Sequence, residues 1–249
     1  MGLAQEPTEE VRMTPAPIGA DMAEADTIKC RGIRFPDDED VLNPRIRRAL
    51  KRRNYEKTEA EAVRPHVRPG DTVLELGGGI GFMSSIMSKG CGADHVHVYE
   101  PNPTLIPYMK EVHALNGIKN VTVNHAIVGP KKGTATFYQR ENMLTSSLEE
   151  NPKTIDSPIV ATHEIEVHNI NTVWTAIKPN VLVCDIEGAE ADLFDKAKLT
   201  GLRLAVIEIH PQWIGEAGTR RVFDAMHRAG LTYFPKASQR KVVVFKKDW

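Results

Sequence analysis

Short apolar runs alternate with amphipathic stretches over most of the chain from Asp71 onward. Residues 72–76 form the first run and residues 95–99 the second; residues 181–184 and 204–209 are the most apolar of those that follow. Apolar runs this short, bounded by turn residues, predict strands buried on both faces. Residues 82–88, 105–115, 172–177 and 219–228 instead predict helices. Weaker strand candidates lie at 121–123, 134–138 and 165–167. The chain closes on two short strands, 231–234 and 242–245, joined by a polar turn at 236–240. Strands alternating with helices predict an α/β fold with a parallel sheet and right-handed crossovers, and the closing pair predicts an antiparallel hairpin at its edge.

Upstream the pattern changes. Residues 1–26 are rich in Pro, Glu, Ala and Thr without a sustained period, which predicts a flexible arm. Residues 28–35 predict a strand or hairpin ended by Pro36 and the acidic run Asp37-Asp38-Glu39-Asp40. Residues 44–64 predict one or two helices that stop near the turn Arg68-Pro69-Gly70-Asp71. Three segments result: an arm (1–26), a strand and helix cap (27–70) and an α/β domain (71–249).

Composition narrows the partners. In 249 residues, 33 acidic side chains nearly cancel 32 basic ones, so no global field favours nucleic acid. The local basic stretch from Arg45 to Arg53 reads as a charged helix face. Cys30, Cys91 and Cys184 lie far apart, which argues against a disulfide scaffold or thiolate zinc site and suits a reducing compartment. The first residues carry no secretory pattern, and Glu6 stands where a myristoylation signal wants Ser or Thr. No apolar run is long enough to span a membrane, so a cytoplasmic location is expected.

The chemistry concentrates at Val73-Leu74-Glu75-Leu76-Gly77-Gly78-Gly79-Ile80-Gly81, a strand running into a glycine-dense turn and then a helix. Glycine permits positive φ and close approach of a ligand to the main chain, and helix-opening amides favour negative ligand groups. A dinucleotide fingerprint would need Gly or Ala at a third position, where Phe82 or Ser84 stands instead. Glu75 would repel a pyrophosphate and suit a ligand with an ammonium and a sulfonium. Glu100, in Tyr99-Glu100-Pro101-Asn102 at the end of the second strand, can accept hydrogen bonds from both hydroxyls of a ribose. S-adenosylmethionine is therefore favoured over NAD.

These segments, with Cys184-Asp185-Ile186-Glu187-Gly188-Ala189-Glu190, Ile207-Glu208-Ile209-His210, and Tyr55-Glu56 with Glu59 upstream, resemble the FkbM-type methyltransferase family. The likeness runs from about Gly32 to Phe234. Departures are Glu75 and Gly78, where members often carry Asp and Ala, and Cys184, where a basic or polar residue is usual. The resemblance implies a class I (Rossmann-like) sheet of seven strands in the order 3-2-1-4-5-7-6, with an N-terminal extension and an S-adenosylmethionine-binding catalytic domain. It implies O-methyl transfer as the commonest chemistry. By position, Gly77, Gly79 and Gly81, with Gly78 between them, would line the methionine part, and Glu100, Pro101 and Asn102 would meet the ribose. His125 and Ala126, after Asn124, would flank the adenine. Tyr55 and Glu56 would close the cofactor mouth.

In a sheet of that order, Asp185 and Glu187 end one strand and Glu208 and His210 end its neighbour, so both sets would meet where the methyl group is presented. His210 is the first candidate for a general base because its ordinary pKa is near neutrality; its alternative is a hydrogen-bonded histidine before Pro211. Asp185 would orient the acceptor or the cofactor ammonium. Glu190 reads as a carboxylate at a helix N-terminus. The same group could hold a divalent metal, although none is assigned. Residues 143–148 read as a loop facing the ligand or the surface, and Trp174, Trp213 and Tyr108 as packing residues. The expected activity is O-methylation of a small-molecule or glycan acceptor, with a homodimer as the oligomer considered. The alternatives are an NAD(P)-dependent oxidoreductase and an inactive S-adenosylmethionine-binding protein.

Overall fold

The computed structural model describes residues 26–142, 146–150 and 157–249. The expected arm lies outside the described residues except for Asp26, as do Met143, Leu144 and Thr145 of the expected loop. The described part opens with an antiparallel hairpin of β1 (Thr27–Cys30) and β2 (Ile33–Pro36). Its turn residues, Arg31 and Gly32, both have positive φ (48° and 92°), as a two-residue hairpin turn requires. Helix α1 (Pro44–Lys51) starts on Asn43, whose side chain accepts from the amides of Arg45 and Ile46 at 3.0 and 2.9 Å. It buries Ile46 and Leu50 and turns its basic residues outward; Arg47 pairs with Asp37 and Glu39 at 2.7 and 2.6 Å. The basic stretch is thus a helix face. Arg53 and Glu56 take positive φ (57° and 40°) and separate α1 from α2 (Lys57–Val63).

The main sheet begins with β3 (Thr72–Leu76), followed by α3 (Phe82–Ser85), which runs on as a π turn through Gly90. Then come β4 (His95–Tyr99), α4 (Leu105–Leu115) and β5 (Val121–Asn124). Next follow β6 (Ile127–Gly129), β7 (Gly133–Arg140) and β8 (Ile159–Asn169), which form a separate three-stranded sheet in the order β6-β8-β7. The main sheet resumes with α5 (Ile170–Ile177), β9 (Val181–Cys184), α6 (Glu190–Asp195), β10 (Leu204–Glu208), α7 (Pro211–Arg228), β11 (Thr232–Tyr233) and β12 (Val242–Lys246). Its seven strands run β5-β4-β3-β9-β10-β12-β11. Numbered along the chain within this sheet, that is 3-2-1-4-5-7-6. All neighbours are parallel except those of β12, which is antiparallel to β10 and β11.

Strand alternation sends side chains to two cores. Val73, Val96, Val98, Val181, Val183, Leu204 and Val206 meet Ile46, Leu50, Ala60, Phe82, Met109 and Val112 from α1 to α4. Leu74, Leu76, Leu182, Cys184, Ala205 and Ile207 meet Val173, Trp174, Leu193, Phe194, Val222 and Met226 from α5, α6 and α7. Trp174 and Tyr108 are packing residues, as expected.

Two regions differ from the sequence reading. Residues 134–138 and 165–167 belong to the longer β7 and β8, whose alternating exposed and inward positions suit a sheet outside the central layer. Helix α7 starts at Pro211 rather than near Thr219 because Gly215, at φ 64°, kinks it and hides its period.

At the opposite end of the parallel strands from the glycine loop, Asp71 joins three strand starts. It accepts from the Arg68 amide at 2.9 Å, Asn180 Nδ2 at 3.1 Å and Arg203 Nε at 2.9 Å, with Arg203 Nη2 on its other oxygen. Removing one partner of a buried charge pair strands the other. Asp71→Ala is expected to cost about 3–5 kcal/mol in urea unfolding, and a loss below about 1 kcal/mol would refute this account.

Candidate active site

The chain leaving β3 crosses the carboxyl end of β9. Gly77 has φ 85°, and a Cβ there would stand 1.8 Å from the carbonyl oxygen of Asp185, so no side chain fits. Gly79, at φ 50°, is open, with only the Tyr55 hydroxyl at 4.0 Å from where a Cβ would be. Gly78 and Gly81 serve another purpose. Cβ atoms there would stand 2.6 and 2.7 Å from Met109, so these two glycines let α4 approach the loop.

A cavity of about 950 Å³ lies over the carboxyl ends of the strands, a volume at the upper end for small-molecule sites. Gly77, Gly79, Glu100, Pro101, Asn102 and Ala126 line it on the β3–β4–β5 side. Asp185 and Glu187 line it after β9, and Tyr55, Glu56 and Glu59 come from the segment before the main sheet. Of the expected site residues, Glu75, Gly78, Gly81, His125 and His210 are not among those lining it. His125 is exposed, with Nε2 3.1 Å from the carbonyl of Pro101. Glu75 shares the face of Val73 and points under the loop, into a smaller space beside the cavity.

Glu100 is 6% exposed; Oε2 accepts from the Gly79 amide at 2.9 Å and Oε1 from the Asn102 amide at 2.8 Å. Burial pushes its pKa up to about 7, against the opposing effect of the amides of Asn102, Gly79 and Gly78. Tyr55 stacks edge-on against Phe82 at 5.4 Å. Burial, then the neighbouring Glu59, raises Glu56 to about 8.

His210 sits one layer behind the cavity wall and is 2% exposed. Its Nδ1 lies 2.8 Å from Glu190 Oε1, which also accepts from the Gly188 amide at 3.0 Å. Its Nε2 faces Glu187 Oε2 at 3.2 Å, Glu208 Oε1 at 3.6 Å and Asp185 Oδ1 at 3.7 Å. Burial works against the charged ring, but the bond to Glu190 and the surrounding carboxylates prevail and raise its pKa. This favours an imidazolium over a free base. Glu187 and Gly188 make the tight turn, at φ 51° and 104°; a Cβ on Gly188 would come within 2.9 Å of Trp213, so Trp213 packs as expected. Glu190 is buried at the start of α6, consistent with its reading, and additionally orients His210.

Sequence reasoning missed several lining residues. Phe137 of β7 and Val167 of β8 reach the cavity from the separate sheet, and Arg45 and Arg240 stand at it. Leu148, in the expected loop, also lines it. Alternation in β7 was the available signal for Phe137; nothing local marks the two arginines.

A family model for the methyltransferase FkbM domain matches residues 75–235. The chain belongs to the FkbM methyltransferase family. Its fold is that of a class I methyltransferase, its cofactor is S-adenosylmethionine, and the oxidoreductase alternative is set aside. No curated protein matches the chain. Among solved structures, Trm5b from Pyrococcus abyssi is 14% identical, with a TM-score of 0.48, and the match covers 88% of this chain and 54% of that one. TYW2 from M. jannaschii, solved with AdoMet, is 15% identical, with a TM-score of 0.47 and coverage of 88% and 84%. The methyltransferase FkbM from Methylobacillus flagellatus KT is 13% identical, with a TM-score of 0.42 and coverage of 71% and 43%. The chain thus spans about half of the Trm5b chain and less than half of the Methylobacillus one. These likenesses are too distant to speak to chemistry. Among the described residues, no helix is long and apolar enough to cross a membrane.

The raised pKa of Glu100 has a measurable consequence. The folded chain holds a proton between pH 4.5 and about 7 that the unfolded chain releases. That stabilisation is complete below about 4.5 and is lost as pH rises through about 7. Thermal unfolding of ligand-free protein from pH 5 to 8 is expected to show a shallower decline in Glu100→Gln than in the wild type; equal slopes would contradict it.

Proposed function

We propose that the protein transfers the methyl group of S-adenosylmethionine to an oxygen of a small-molecule or glycan acceptor. One observation carries this reading: a single cavity joins the bare main chain at Gly77 and Gly79 and the Glu100 carboxylate to the carboxylates of Asp185 and Glu187. The residues fit the cofactor. Glu100 offers two oxygens to a vicinal diol, and Asn102 and Pro101 lie beside it. Ala126 and Val128 provide an apolar wall for a base, and the bare glycines admit the methionine part. Acidic side chains around Gly77 suit a ligand with positive sulfonium and ammonium groups. When bound, the cofactor supplies an electrophilic methyl group on sulfur.

Asp185 and Glu187 orient the acceptor hydroxyl, and Glu187 takes its proton as the oxygen attacks. His210, fixed through Nδ1 by Glu190, positions Glu187 from behind. It replaces the direct base expected from sequence with a positioning residue. Tyr55 and Glu56 close the mouth and exclude water.

Calorimetry with S-adenosylhomocysteine tests the cofactor half. Glu100→Ala should weaken that binding by about 1–3 kcal/mol, the scale for hydrogen bonds to a charged group; undiminished affinity would remove Glu100 from the site. Labelled-methyl transfer to fractionated host extract tests the acceptor half, and binding without any turnover would favour the inactive-protein alternative. With an acceptor in hand, Glu187→Gln should lower kcat by roughly 10²–10⁴ while leaving S-adenosylhomocysteine affinity intact. Unchanged kcat would exclude Glu187 as the base.

A further inference from the structure

The large cavity carries charge of both signs. Asp185 and Glu187, half-buried at the ends of the strands, make its floor acidic, but Arg45 and Arg240 also line it. Both arginines are exposed, and among the described residues neither forms an ion pair. Their neighbours differ in this respect: Arg47 is paired with Asp37 and Glu39, and Lys57, also at the cavity, lies 3.8 Å from Glu61. The acidic floor suits the sulfonium and ammonium of the cofactor. It gives the two arginines nothing to do.

Arg240 is held in place at a cost. With Lys241 it forms a two-residue turn closed by Gln239 and Val242, whose main chains exchange hydrogen bonds of 2.9 and 3.0 Å. Arg240 takes φ 56° at the first turn position, where glycine is the ordinary occupant. A long side chain there is kept against the preference of its own backbone. The turn is tied to the end of β10: Val242 pairs with Glu208, and the Ile209 amide donates to the Lys241 carbonyl at 2.9 Å. Arg240 therefore stands at the same end of the sheet as Asp185 and Glu187.

The wall supplied by the separate sheet and the segment after β7 is apolar. Ala135, Phe137, Leu148 and Val167 line the cavity there, and no charged side chain of β6, β7 or β8 does. Leu148 is 40% exposed, an apolar side chain left open to solvent. The hydroxyls on this side serve the chain itself: Ser146 Oγ accepts from the Arg140 amide at 3.0 Å, and Ser147 Oγ donates to the Glu149 carbonyl at 3.2 Å. A sugar would lose water here for few partners, whereas an alkyl or aryl body gains by leaving water. We propose that the acceptor is an amphiphilic acid: an apolar body bearing the hydroxyl to be methylated and, away from it, a carboxylate or phosphate held by Arg45 and Arg240. This rests on the proposed methyl transfer and names the acceptor class for the same cavity. The guanidinium fork matches the paired oxygens of either anion. Charge also sets the direction of entry, because the carboxylates of the floor repel the anion and the arginines attract it, so the hydroxyl end reaches Glu187.

The test uses the full chain saturated with S-adenosylhomocysteine and titrated calorimetrically, below micelle-forming concentrations, with octanoate, octyl phosphate, octanol, octylamine and octyl glucoside. At least one of the two anions is expected to bind about tenfold more tightly than the three others, the scale for hydrogen bonds to a charged group, and the stronger of the two names the oxyanion. Rising salt should erode that preference. Arg45→Gln and Arg240→Gly should each weaken the anion about tenfold and leave octanol and S-adenosylhomocysteine binding as they were. Glycine accepts the backbone conformation of Arg240 without strain, so that variant keeps its fold. Equal binding of anions and octanol, tighter binding of octyl glucoside, or an anion preference that survives both substitutions overturns the acceptor class. Failure to bind S-adenosylhomocysteine at all would instead remove the methyl-transfer reading beneath it.

Discussion

The close passage of two main chains, at Gly77 and Asp185, is the constraint on which the site depends. The chain leaves β3 directly against the carbonyl of Asp185, and only a residue without a Cβ can do so. Because β3 and β9 are paired in register up to Leu76 and Cys184, that contact sets where the loop turns and where Asp185 emerges. The residues on either side, Glu100 after β4 and Glu208 at the end of β10, take their places from the same parallel pairing.

The acidic character of this region is unusual for a buried strand edge. Burial disfavours the charged carboxylates, and their neighbours' negative charge adds to it, so Glu56, Glu75, Asp185 and Glu208 are all shifted upward. His210 offsets part of this on one side, through its contacts with four carboxylates between 2.8 and 3.7 Å. In the proposed reading, a positively charged cofactor would offset it on another. The region is thereby matched to cations and set against anions, in keeping with a sulfonium donor.

Much of the fold was legible because its central strands are buried on both faces. Val-Leu-Val-Cys in β9 and Leu-Ala-Val-Ile in β10 read as continuous apolar runs, and they are strands. The peripheral β7 and β8 read poorly, since their alternation resembles that of any half-exposed strand and does not say which sheet they join. The glycine loop and Glu100 were recognisable from local spacing, and Asp185 from the family resemblance. The seat of His210 was not, because its distance from the cavity depends on how β10 pairs with β9 and on the turn at Glu187 and Gly188. Glu75 was misdirected for a simpler reason: it shares parity with Val73, so it faces the helices α1 to α4, and counting by twos along β3 would have revealed this.

The three-stranded sheet β6-β8-β7 is inserted between the third and fourth strands of the main sheet, and it lends Phe137 and Val167 to the cavity. None of the glycine loop, Glu100, Asp185 or Glu187 belongs to it. A relative could therefore lengthen, shorten or recolour β7 and β8 and reshape that wall of the cavity while the glycine loop, Glu100, Asp185 and Glu187 stay where the main sheet puts them.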